Sequence, residues 1–331
     1  MSSNKSSVPI VARGEAPLLQ PIDIDGMRDH FRAKSKALVD KRMTEEQAIE
    51  RFVHSGDYLG IELYGTVRCP MSLTRALVRS SVEGLRMAGQ GVHEADLLIA
   101  SGKFEAIDVT YIGQEVYGVS SVLRRAVESG QIKRVVEWSN GAISWRFKAA
   151  AMGVPFIPAR VMLGSDTFKY SAAQAIQCPF TGQTICLLPA LFLDVGMIHV
   201  SRADKYGNCQ IDGVSGFAGE MARASKRLLI SAEQIVDEDQ IRERPDRTLI
   251  PYYMVDAVVE APFGSWPGEM AGAYERDEEH YRMFVKATKS AEATQDYMRQ
   301  WVYGLPDHAA LLEKVGTQRL EALRIDRGDA S

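Results

Sequence analysis

A chain of 331 residues, 46% hydrophobic and 25% charged, has the length of one large α/β domain or two small ones and can bury a sizeable core. A net charge of −4 supplies no basic surface for nucleic acid or an anionic membrane, and no apolar run approaches the ~18–20 residues that span a bilayer. The start lacks the apolar stretch of a secretory signal, and Cys69, Cys178, Cys186 and Cys209 form no C-x-x-C pair, so a cytoplasmic protein with reduced thiols is expected.

Residues 1–43 read as a flexible N-terminal arm, followed by one continuous domain over 44–331. Thr44 with Gln47 three residues on is a capping-box pattern, opening a helix with Ile49, Phe52 and Val53 on one face. A strand is expected over 57–65. Pro70 suits the first turn of a helix to residue 82. Strands at 84–89, 105–113, 134–138 and 154–161 then alternate with helices that close at Gly102, Gly130 and Gly153. Such alternation implies right-handed βαβ crossovers, hence an α/β fold with an open, mainly parallel sheet flanked by helices.

After Gly164 the texture changes. Thr181-Gly182 between apolar runs signals a β-hairpin insertion, and 193–213 reads as two strands around Gly207-Asn208. Two more strands are expected within 226–236 and 252–262. From about residue 275 the chain is a helical C-terminal tail to Leu323, broken at Gly304-Leu305-Pro306 and Gly316.

Ser139-Asn140-Gly141 joins a strand to a helix. A helix N-terminus at the carboxyl edge of an open sheet presents N–H groups and a positive dipole end to ligands. Gly141 permits close backbone approach, and the Asn140 amide can donate to an oxygen gaining charge. The same three residues also suit a plain helix cap and turn. The six histidines are scattered, with no Cys/His cluster, so no metal site is expected.

Residues 111–166, residues 179–208 with Asp194, His199, Ala203-Asp204 and Gly207-Asn208, and residues 255–267 resemble the A subunit of family I coenzyme A transferases. Within that family the glutaconate CoA-transferase A subunits are most similar. The likeness runs through roughly 44–325 and excludes the arm. It implies a ping-pong exchange in which a glutamate attacks an acyl-CoA thioester and becomes an enzyme thioester. That glutamate belongs to a B subunit, in a Glu-Asn-Gly context absent from this chain. The resemblance therefore implies a partner B subunit of related fold in an α2β2 assembly. No cofactor is permanently bound; a coenzyme A thioester is the substrate, of a dicarboxylic or bulky acid.

Asn140 falls where related A subunits carry an oxyanion-site glutamine, with Ser139 and Gly141 beside it. Tyr111, Gln114 and Glu115 fall on acyl-acceptor contacts, or on a merely exposed loop. Gly164-Ser165 can cradle substrate, and Arg68 can pair with a substrate carboxylate or be a solvated loop arginine. One departure stands out: Glu62 and Leu63 occupy the two glycines of a Gly-Gly-Phe-type loop. Glu62 is either a surface-facing strand residue or an altered pocket, even a general base. Glu137 reads as a strand-end residue, His199 as a satisfied core histidine, and Asp204 as turn chemistry. The rivals are an acyl-CoA hydrolase or decarboxylase of the same fold, with Glu62 as base, and, more remotely, a ligand-binding module.

Overall fold

The computed structural model describes residues 8–325. In chain order they form β1 (Ile10–Arg13), α1 (Ile24–Ala33), α2 (Glu45–Phe52), β2 (Tyr58–Glu62), α3 (Met71–Arg79), β3 (Leu85–Gly91), α4 (His93–Ala100), β4 (Phe104–Ile112), α5 (Ser121–Glu128), β5 (Arg134–Glu137) and α6 (Asn140–Met152). There follow β6 (Phe156–Ala159), α7 (Asp166–Lys169), β7 (Gln174–Gln177), β8 (Thr184–Pro189), β9 (Leu193–Ala203), β10 (Cys209–Gln210), α8 (Ala218–Ala224), β11 (Ser225–Ile235), α9 (Glu238–Glu243), β12 (Thr248–Ile250) and β13 (Ala257–Glu260). The tail is α10 (Glu278–Ala287), α11 (Ala291–Met298), α12 (His308–Val315) and α13 (Thr317–Leu323).

The larger sheet holds a parallel run in the order β13-β11-β9-β2-β3-β4-β5, with β10 and β12 added antiparallel beyond the end of β2. Helices cover both faces, so strands such as β2 are buried at every residue. Gly60 of β2 lies opposite Gly196 of β9. A Cβ on Gly60 would come within 2.2 Å of Leu193, so the close packing there needs glycine. The capping box of α2 is present: Thr44 Oγ1 accepts from Gln47 N–H at 3.2 Å, and Gln47 Oε1 accepts from Thr44 N–H at 3.1 Å.

Three expectations differ from the structure. The strand at 154–161 does not join the parallel sheet. As β6 it pairs antiparallel with β8, Ala159 opposite Cys186, in a second sheet of order β1-β7-β8-β6. The expected hairpin is the β7–β8 pair of that sheet. The segment expected as a flexible arm carries β1, paired with β7, and α1, whose Met27 is buried; its first seven residues lie outside the described residues. The tail breaks at Gly304 and Gly316 as expected and also, against expectation, between Ala287 and Ala291.

Candidate active site

Parallel strands all point their carboxyl ends to one edge, and the candidate residues collect there. The ends of β2, β3 and β4 are laced together. Gln90 Nε2 donates to Leu63 O at 2.7 Å, and Gly113 N–H to Gly91 O at 3.1 Å. Between Leu63 and Arg68 the chain doubles back on a tight Tyr64–Val67 bridge. Its tip reaches the loop after β4: a Cβ on Gly65 would stand 3.4 Å from Glu115 Oε1.

At the end of β5, Ser139 caps α6, its Oγ accepting from Ala142 N–H at 3.1 Å. Asn140 and Gly141 are exposed in the first turn, and nothing lies within 4 Å of a Cβ placed on Gly141. The Asn140 side-chain amide has no hydrogen-bond partner among the described residues. Ser139 is thus a cap, while Asn140 and Gly141 remain open donors at a helix N-terminus.

The loop is held from beneath by a buried cluster. Trp138 Nε1 donates to Asp108 Oδ1 at 2.8 Å, Arg146 Nη1 to Asp108 Oδ2 at 3.0 Å, and the Tyr58 hydroxyl also donates to Oδ2. The Arg146 guanidinium lies 3.9 Å from the Trp138 ring centroid and donates through Nε to Pro189 O. Sequence reasoning missed these four residues. The available signal was a lone aspartate, Asp108, among the core apolar residues of β4.

Glu62 is not a surface residue: its side chain and that of Arg68 are both 0% exposed. Arg68 Nη1 donates to Glu62 Oε2 at 2.7 Å and Nη2 to Oε1 at 3.0 Å. Arg68 Nε and Nη1 also donate to Val214 O and His199 O, at 2.9 and 3.2 Å. Arg68, read as a partner for a substrate carboxylate or as a solvated loop arginine, is not solvated, and its fork is engaged by a carboxylate of its own chain. Burial pushes the Glu62 carboxyl up, against the opposite pull of the guanidinium and of Phe217 N–H.

His199 is a satisfied core histidine, 2.8 Å from Ser231 Oγ and 2.7 Å from Glu233 Oε1. Glu233 also accepts from the Tyr274 hydroxyl at 2.6 Å and from Phe263 N–H at 2.8 Å. Burial works against its charge, yet the His199, Tyr274 and Phe263 donors together bring the carboxyl below its ordinary value. Asp204 takes its expected turn role, accepting at 2.9 Å from the N–H groups of Tyr206, Gly207 and Asn208.

Among the other candidates, Gln114 is no exposed loop residue. It is buried, donating to Asp96 Oδ2 at 2.8 Å and accepting from the Tyr281 hydroxyl at 2.6 Å. Tyr111 is half-buried, with its hydroxyl on Gly118 O. Glu115 is exposed and holds a left-handed φ of 50°. Gly164 and Ser165 are exposed, and Ser165 caps α7. Their segment reaches the end of β5 through Glu137 N–H on Tyr170 O at 3.0 Å. Among the described residues no group of three or more His, Cys, Asp or Glu is placed to hold a metal ion, and no helix is long and apolar enough to cross a membrane.

An open parallel sheet with donor loops at its carboxyl edge is of the class that takes ligands at that edge. Comparison makes the class specific. A family model for coenzyme A transferases matches residues 42–261. The chain is 30% identical to the A component of glutaconate CoA-transferase of Acidaminococcus fermentans, over 88% of this chain and 96% of that one. It is also 30% identical to the cholesterol ring-cleaving hydrolase IpdA subunit of Rhodococcus jostii, over 81% and 94%. The crystal structure of glutaconate coenzyme A-transferase from Acidaminococcus fermentans matches the fold with a TM-score of 0.83 at 29% identity, covering 87% of this chain and 96% of that one. This chain belongs to the coenzyme A transferase family.

Proposed function

We propose that the chain is the A subunit of a cytoplasmic, heteromeric acyl-CoA:carboxylate CoA-transferase, working in an α2β2 assembly with a B subunit of related fold. The B subunit supplies the nucleophilic glutamate; this chain supplies the oxyanion and substrate-binding side. The observation that carries the reading is the contrast at the carboxyl edge. Asn140 and Gly141 stand open as donors, while both oxygens of Glu62 are held by Arg68.

In this scheme the partner's glutamate attacks the thioester carbonyl carbon. The Asn140 amide and the N–H groups at the start of α6 receive the negative charge developing on the carbonyl oxygen. The C–S bond breaks, leaving a mixed anhydride and CoA thiolate. The thiolate then attacks the glutamyl carbonyl, expelling the first carboxylate and forming the enzyme thioester; an acceptor acid reverses the steps. Glu115, Tyr111 and the 164–165 turn line the approach. Hydrolysis or decarboxylation with Glu62 as base is the lesser reading, because a base must be free to take a proton.

The test is intact-mass measurement of the separated chains after the A–B complex meets an acyl-CoA without acceptor acid. A CoA-sized increment on the B chain alone is expected. An adduct on this chain, at Glu62, Glu115 or Glu137, overturns the reading.

A further inference from the structure

We infer that Glu62 is a built-in substitute for a substrate carboxylate: it fills the Arg68 fork, so that the site takes acyl groups lacking a second carboxylate. The inference deepens the transferase reading and rests on it for the identity of the substrate.

Arg68 is held in place by more than its carboxylate. Its backbone sits at a left-handed φ of 61°, a conformation that costs a non-glycine residue energy, and its N–H is fixed on Glu269 O at 3.0 Å. That backbone turns the side chain inward. Apart from Glu62, the guanidinium's hydrogen-bond partners among the described residues are the neutral backbone carbonyls of His199 and Val214. These carbonyls fix the position of the fork whether or not Glu62 is present. Glu62 alone supplies negative charge, through the two-point contact by which arginine recognises a carboxylate.

The covering layer is thin. Gly216 is exposed, with a φ of 53°, and a Cβ placed on it would come within 2.5 Å of Glu62 Oε1. Glycine backbone is therefore what lies over this carboxylate. The resemblance places a glycine, which carries no carboxylate, at the position of Glu62. A distal carboxylate on an acyl group crossing this edge would meet the exposed Glu115, while Glu62 and Gly216 close the Arg68 fork to it. The nearby Arg276 is itself engaged by Glu278 at 2.7 Å. An uncharged acyl chain meets no such mismatch.

The experiment uses the complex with the B subunit, with pentanoyl-CoA and glutaryl-CoA as donors. Wild type should favour pentanoyl-CoA in kcat/KM by about tenfold or more, the scale of one charge-assisted hydrogen bond. Glu62→Gly should raise kcat/KM for glutaryl-CoA by a similar factor, and adding Arg68→Met should abolish the gain. A second readout needs no turnover. Formate should raise the Tm of Glu62→Gly but not of wild type, and chloride at equal ionic strength should raise neither. If Glu62→Gly folds only when refolded in formate, that is the same result. Equal use of both donors by wild type, no gain in Glu62→Gly, or no formate effect overturns the inference. If wild type transfers from neither donor, the transferase reading fails, and the formate result still decides whether Glu62 is a replaceable carboxylate.

Discussion

Two arginine–carboxylate pairs in this protein are equally buried and differ in what surrounds them. Asp108–Arg146 is walled by the Trp138 ring, the Tyr58 hydroxyl and the Pro189 carbonyl, inside the main core. Glu62–Arg68 lies at the sheet edge beneath a glycine, with its arginine otherwise held by backbone carbonyls. The first contact is single, Arg146 Nη1 on Asp108 Oδ2, and the second is two-pointed, Arg68 Nη1 and Nη2 on Glu62 Oε2 and Oε1. A pair enclosed by side chains that depend on it is part of the fold. Under the inference above, a pair at the sheet edge covered by glycine backbone is instead a filled binding position.

The hardest test of this distinction is Asp108→Ala. It leaves Arg146 charged in the core and should lower stability by about 3–5 kcal/mol, measured by urea unfolding. Formate should not restore it, in contrast to Glu62→Gly. A loss below about 1 kcal/mol, or recovery in formate, would erase the difference between the two pairs.

Next in size is Asn140→Ala. It removes an open donor from the loop that Trp138 and Ser139 hold in place. Turnover of the complex should fall ~10²–10³-fold, corresponding to about 2.7–4 kcal/mol of transition-state stabilisation. The unfolding free energy should stay within about 0.5 kcal/mol of wild type, because the cap is Ser139. Near-normal turnover would reduce the loop to a helix start.

How much of this was legible in the sequence follows from which interactions are local. Parallel strands buried on both faces, alternating with capped helices, leave periodic apolar patterns, and the order from α2 to α6 could be read directly. The pairing of β6 with β8 could not, because Ala159 and Cys186 meet only after the chain has turned through α7 and β7. In α1 the local signal is weak: Asp23 accepts from Gly26 N–H at 2.9 Å, and the rest depends on packing around Met27. At the site, the strand–Ser-Asn-Gly–helix pattern was readable because all its parts are adjacent. The surface alternative for Glu62 fails because alternation in a strand says nothing when both faces are covered. Its partner comes from a chain reversal at Tyr64–Val67 that periodicity does not encode. His199 likewise takes its partners from another strand, β11.

A further expected effect comes from a buried carboxylate that, among the described residues, has no cation hydrogen-bonded to it. Glu94 accepts from Val92 N–H with both oxygens at 3.1 Å and lies 3.6 Å from Cys69 Sγ. Burial pushes its carboxyl up to about 8. Below about pH 4.3, the ordinary glutamate value, folded and unfolded chains both hold the proton and Glu94 contributes no pH dependence. Between about 4.3 and about 8 the unfolded chain releases it while the folded chain keeps it, so stability falls as pH rises; above about 8 both have released it and the loss levels off. Glu94→Gln keeps the shape and removes the titration. It should match wild type near pH 4.5 and become progressively more stable than wild type as the pH rises towards about 8, the gap levelling off above that. Urea unfolding of both proteins at the two pH values measures the change. Parallel stability profiles would mean that Glu94 is ionised in the folded chain, and that a buried carboxylate here is stabilised by backbone N–H groups alone, without the guanidinium that Asp108 and Glu62 each have.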